Sequence, residues 1–181
     1  MKREACIILS LVLASSVIAE STNIESTGNL KSESPVELKE VSEITNKHNP
    51  VDIFKLVRSK IEQEKYDDAA LAFGVGTGYG MFDMRRVSDN TAHQALRVIQ
   101  INTGTGIPQE KQDEFQTTLN ALFENPDKLV ALLKKVGKPN YHPTYMIQHG
   151  IKAFTGNKTK DGLIPDFDPD AAWQEILDGL K

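Results

Sequence analysis

The chain has 181 residues, 39% of them hydrophobic, with one cysteine and a formal net charge of −4. A mildly acidic chain without a basic stripe argues against nucleic acid and anionic lipid as main partners, because both are held by clustered Lys and Arg.

The first nineteen residues have the layout of a secretory signal. Met1-Lys2-Arg3-Glu4 supplies the basic start, an apolar run extends from Ala5 to Ala14, and the small residues Val17 and Ala19 mark a cleavage site. The run is too short to span a bilayer comfortably. The expectation is therefore export to the periplasm or the exterior, cleavage after Ala19, and no integral membrane segment afterwards. Glu20 stands where a lipid-anchored precursor needs cysteine. Cleavage also removes Cys6, which leaves no disulfide, thiol nucleophile or thiolate ligand, so the mature domain rests on its hydrophobic core. Losing Lys2, Arg3 and Glu4, a net of +1, takes the charge to −5.

Residues 20–48 are rich in Ser, Thr, Glu, Asn and Lys, with scattered Ile24 and Leu30. Such a composition buries too little apolar surface to offset the entropy of ordering, and the segment is expected to be a flexible, disordered tether. Ser34-Pro35-Val36-Glu37 has a capping-box pattern, with Val41 and Ile44 suited to a short helix behind it.

Residues 49–181 are expected to form one all-α domain of six to seven short helices. Asn49-Pro50, Ile107-Pro108, Asn125-Pro126, His142-Pro143 and Asp168-Pro169 each precede a helical apolar pattern, as proline suits the first helical position. The stripes are Ile53/Leu56/Val57/Lys60/Ile61, with Lys60 along the edge, then Phe115/Leu119/Leu122/Phe123 and Leu129/Val130/Leu132/Leu133/Val136 closed by Gly137. Met146/Ile147/Gly150/Ala153/Phe154 and Ala172/Trp173/Ile176/Leu177/Leu180 complete the series. A short extended piece is expected only at Leu163-Ile164. Tyr66-x-x-Ala69-x-x-x-Phe73 resembles part of one tetratricopeptide hairpin. No second copy follows at a repeat period, and no family is assigned.

Gly74-Val75-Gly76-Thr77-Gly78-Tyr79-Gly80 fails as a phosphate loop. Tyr79 and Met81 occupy the candidate third glycine positions of a dinucleotide fingerprint, and no Gly-Lys-Ser/Thr ending follows. In a helix, Gly74 and Gly78 share a face, as do Gly76 and Gly80, which points to close helix packing at about 1 kcal/mol of propensity per glycine. A hinge between two shorter helices is the alternative.

The densest polar cluster follows: Asp83, Arg85, Arg86, Asp89, Asn90, Thr91, His93 and Gln94. One reading is a continuous helix that stacks Arg85, Asp89 and His93 at i, i+4 and i+8. The preferred one has Ser88 or Asp89 capping a new helix whose Ala92, Ala95, Leu96 and Ile99 face the core. Caps and ion pairs are the first expectation, a binding surface the second. For catalysis, Asp89 would orient His93 as general base and Arg85 or Arg86 would hold an anionic group.

His142 and His149 lack a zinc motif, and no cofactor is expected. Tyr141, His142, Tyr145 and His149 instead suit an aromatic, hydrogen-bonding patch of the kind interfaces favour. The stretch Asn157 to Asp168 reads as a weak EF-hand-like calcium loop. Asn157, Thr159, Asp161 and Asp168 would be ligands, with Gly162 at the turn. The competing reading is an Asx-Gly turn with Asp168 starting the last helix.

These readings describe an exported helical module that binds another extracytoplasmic protein, in an inhibitor, immunity-like or adaptor role. Its binding residues would be Asp83, Arg85, Arg86, Asp89, His93, Tyr141, His142 and Tyr145. An extracytoplasmic hydrolase using Asp89 and His93 is the second reading, and a weak calcium module the third.

Overall fold

Short polar side chains fix the starts of the first and last helices. Asn49 Oδ1 accepts from the Asp52 amide at 3.3 Å, and Pro50 opens helix α1 (Pro50–Glu62). Asp168 Oδ1 accepts from the Asp170 and Ala171 amides, both at 3.0 Å, ahead of the last helix. The computed structural model describes residues 25–156 and 161–180, so the expected signal sequence lies outside the described residues. After α1 come α2 (Tyr66–Arg86), α3 (Gln94–Gly104), α4 (Gln109–Glu124) and α5 (Asp127–Val136). Then follow α6 (Thr144–Ile147), α7 (Lys152–Thr155) and α8 (Pro169–Asp178). Among the described residues the fold is all-α. The sole extended pairing there is an antiparallel bridge between Val87 and Leu163, beside the expected extended piece.

The fourth apolar stripe divides between α6 and α7 where one helix was expected. Gly150 sits between them against Asp89 and Ala92, too close for a side chain. Pro108, Pro126 and Pro143 stand one residue before the first helical position, so the proline rule holds strictly only for α1 and α8.

Helix α2 is the hub. It runs unbroken through the glycine series, which is packed helix and not a hinge. A Cβ on Gly74 would come within 2.6 Å of Leu129 in α5, and one on Gly76 within 2.9 Å of Phe54 in α1. A Cβ on Gly80 would intrude on the Leu96 side chain in α3. Three neighbours thus approach the α2 backbone through its missing side chains. Tyr79 and Phe82 on its remaining face meet Trp173 of α8 edge-on.

The expected tether is instead, from residue 25 onward, a strap laid on the helices. Leu38 and Ile44 are buried in the core, and Leu30 packs against it. Polar contacts fix the path. The Leu30 amide donates to Tyr145 O at 3.1 Å, and Ser32 Oγ donates at 2.6 Å to Asp52, a buried carboxylate that Lys55 also holds. The short helix expected near Val41 is a 3₁₀ turn, Val41–Glu43. Its cap is Glu43, which accepts from the Lys39 and Glu40 amides, and not the Ser34 box.

Lys60 does not lie along the edge. It is 0% exposed, with Nζ 2.7 Å from Glu40 of the strap and 3.8 Å from Asp68. Burying an ammonium is costly unless a carboxylate meets it, and Glu40 supplies one at hydrogen-bond distance.

Two predictions follow from this packing. Gly80→Ala should lose about 1–3 kcal/mol in urea unfolding, because Leu96 must move. Gly78→Ala should be neutral or gain up to about 1 kcal/mol, since its new Cβ meets Leu133 at an ordinary 3.4 Å. Equal effects would contradict glycine-mediated packing. The hydrogen bond from Lys60 holds the Glu40 carboxyl below its ordinary value. Its contribution is therefore complete above that ordinary value and lost as pH falls through the lowered folded one. Glu40→Gln should lower the urea midpoint at neutral pH and flatten its decline in acid. A wild-type midpoint and acid slope in the variant would contradict the clasp.

Candidate functional site

The two clusters singled out in the sequence meet at one carboxylate. Asp83 lies in the last turns of α2, fully buried. Its Oδ2 accepts from Tyr141 and Tyr145 hydroxyls, each at 2.8 Å. Its Oδ1 accepts from Arg86 Nε at 2.9 Å, and Arg86 Nη2 approaches to 2.6 Å. The guanidinium is sandwiched between rings, 5.1 Å from the Phe82 centroid and 5.2 Å from that of Tyr141. Burial pushes the Asp83 carboxyl up, and Arg86 and the two hydroxyls oppose that shift without cancelling it. Both tyrosines are driven well above their ordinary value, by burial first and by the Asp83 charge second. Three hydrogen bonds and a close ion-pair contact converge on two oxygens out of water, an arrangement suited to fixing backbone segments.

Asp89 forms a second fixed point. Its Oδ1 accepts from the Thr91 amide at 3.0 Å and hydroxyl at 2.7 Å, and its Oδ2 from the Lys152 amide at 2.8 Å. Burial raises the carboxyl, and the Thr91 and Lys152 donors outweigh it, leaving it below its ordinary value. Asp89 thus caps the 3₁₀ turn Asn90–His93 that leads into α3, and also docks α7. This is the capping arrangement, not the continuous helix. His93 faces elsewhere, with Nε2 3.2 Å from Val87 O, and no hydrogen bond joins it to Asp89 among the described residues. Arg85 reaches Glu175 on α8 at 3.3 Å. The structure therefore does not assemble Asp89, His93 and Arg85 into one reactive group.

The predicted binding residues divide the same way. Asp83, Arg86, Asp89 and Tyr145 are buried and cannot themselves form a contact surface. Arg85, His93 and Tyr141 are half-buried, and His142 is exposed. His142 bridges Thr144 Oγ1 at 2.8 Å and Asp161 O at 3.0 Å. His149 lies 2.9 Å from Asn29 of the strap, and burial lowers its pKa.

Of the calcium-loop candidates, Asn157 and Thr159 lie outside the described residues. Asp161 Oδ1 accepts from the Leu163 amide at 3.0 Å, while Asp168 caps α8. Among the described residues no three His, Cys, Asp or Glu side chains gather as metal ligands. No helix among them is long and apolar enough to cross a membrane.

Sequence reasoning missed the strap's share of this region. A cavity of about 100 Å³ opens above Tyr141 and Tyr145, walled by Lys31, Ser34, Lys47 and Thr144. Nothing local marks those residues, because they come from three separate stretches. A larger cleft of about 690 Å³ lies away from every predicted residue, between Pro35–Glu40 of the strap and α1. Comparison with protein-family models, curated proteins and solved structures finds no match for the chain.

Asp83→Ala should cost about 3–5 kcal/mol in urea unfolding, since it leaves Arg86 as a buried charge without its partner. Tyr145→Phe should cost about 1–3 kcal/mol, because one of the donors to the carboxylate is lost. A negligible loss in both variants would contradict a closed, shared node.

Proposed function

We propose that the chain, once its first nineteen residues are removed, is an extracytoplasmic protein-binding module. The docking face is the end of the bundle around the turn 86–91. One observation carries this reading. Among the described residues, three of the seven exposed large hydrophobics lie on two short segments tied to that turn. They are Ile151 (61% exposed) and Phe154 (52%) at α7, and Ile164 (43%) beside the Val87–Leu163 bridge.

These apolar groups sit on a fixed frame. The Ile151 amide donates to Thr91 Oγ1 at 2.9 Å, the Lys152 amide to Asp89, and the Ile164 amide to Arg86 O at 2.8 Å. Exposed apolar side chains on a rigid support lose little conformational freedom on binding, which suits recognition of a protein surface. The polar residues first considered for contact act underneath, as the frame. Export rests on the basic, apolar and small-residue layout of residues 1–19.

The test is affinity capture from an extracytoplasmic extract with wild type and the double variant Ile151→Asp/Phe154→Asp, whose thermal midpoints should match. An equimolar protein partner retained by wild type and lost by the variant is the expected result. Capture of the same partner by both would move the interface elsewhere. Recovery of wild type alone would contradict a stable complex.

A further inference from the structure

The cavity above Tyr141 and Tyr145 carries a chemistry separate from that docking face. We propose that it binds a small tetrahedral oxyanion, sulfate or phosphate. Its volume is about 100 Å³. The strap supplies Lys31, Glu33 and Ser34, the turn before α1 supplies Lys47 and Asn49, and the start of α6 supplies the facing wall.

Charge sets the ligand class. The whole chain is net negative, yet two lysines and one glutamate line this cavity. The Lys47 ammonium has no ion pair among the described residues, and Lys31 is held only loosely, 3.8 Å from Glu25. The one carboxylate, Glu33, is already engaged, accepting from Thr144 Oγ1 at 2.7 Å.

Asp161 O can only accept, so His142 Nε2 at 3.0 Å must carry a proton. Thr144 Oγ1, which donates to Glu33, also lies 2.8 Å from His142 Nδ1. Lys31 and Lys47 outnumber Glu33 in the lining of this small cavity. A tetrahedral dianion matches that charge and the several donor directions.

Inorganic sulfate is the probe, because its charge stays constant across the neutral range. The full mature chain is titrated at low ionic strength, with binding followed by calorimetry and by amide shifts in two-dimensional NMR. Saturable binding at one site is expected, with the largest shifts at Lys31–Ser34, Lys47 and Thr144. Lys47→Ala and Lys31→Ala should each weaken it by about tenfold, as expected for loss of a hydrogen bond to a charged group. Glu33→Gln should tighten it, because the opposing charge is gone, and Lys134→Ala on α5 should leave it unchanged. All four side chains are exposed, so the variants keep the fold. Absence of saturation up to about 0.1 M sulfate, where surface charges are already screened beyond about 6 Å, would overturn the proposal. So would equal weakening by Lys134→Ala, or weaker binding in Glu33→Gln.

Discussion

One buried carboxylate fixes the upper half of this molecule. Asp83 is on the hub helix, and its three partners are Arg86 one turn later and Tyr141 and Tyr145 about sixty residues on. A carboxylate out of water is tolerable only with its lone pairs met, so the 141–145 segment has one position available to it. Other contacts depend on that position. Tyr145 O receives the Leu30 amide, Thr144 Oγ1 donates to Glu33, and Gln148 receives Ser26 Oγ at 2.7 Å, so the strap is placed by the same segment. His142 extends the arrangement to Asp161, and the bridge beyond it carries Ile164 to the proposed docking face. Electrostatics and packing share the work, because Phe82 and Tyr141 cover the guanidinium that balances Asp83.

The lower half is held by geometry. Glycines on α2 let α1, α3 and α5 approach the backbone, and a helix of small residues gains in close contact what it loses in propensity. The strap joins the two halves. It starts near Tyr145, crosses the end of α1 at Ser32 and Asp52, and ends by covering Lys60 with Glu40. Residues 25–48 are therefore part of the domain, since without Glu40 the nearest counter-ion to a buried lysine would be gone.

What was legible in the sequence is what local chemistry decides. Asn49-Pro50 and Asp168-Pro169 cap α1 and α8 as their residue types require, and Gly137 closes α5 with φ +84°. Helical apolar spacing located α1, α4, α5 and α8, and the glycine series read as close packing with a hinge as the alternative. The strap was hidden because its polar composition outweighed Leu38 and Ile44, whose burial depends on surfaces far along the chain. Lys60 was visible in an apolar stripe, but its depth is set by Glu40, twenty residues upstream. The candidate cluster was legible as a list of residues and not as an arrangement. Asp89 had a histidine four places away, yet its oxygens went to nearer amides and a hydroxyl, which is the usual outcome for an aspartate at a helix start.

The same division shapes the functional account. Buried polar residues build the frame, and exposed apolar and cationic groups on it are left for contact with other molecules. That account stands on Asp83 being a closed, water-free acceptor for two tyrosine hydroxyls. Spectrophotometric titration of the tyrosines tests this most directly. The chain has four tyrosines, and burial raises all of them, with the Asp83 charge adding to the shift at Tyr79, Tyr141 and Tyr145. The account predicts no three-tyrosine absorbance wave near the ordinary value of 10.0, with those three ionising only as the fold is lost. Reversible ionisation of three or four tyrosines near that value in the folded protein would contradict it.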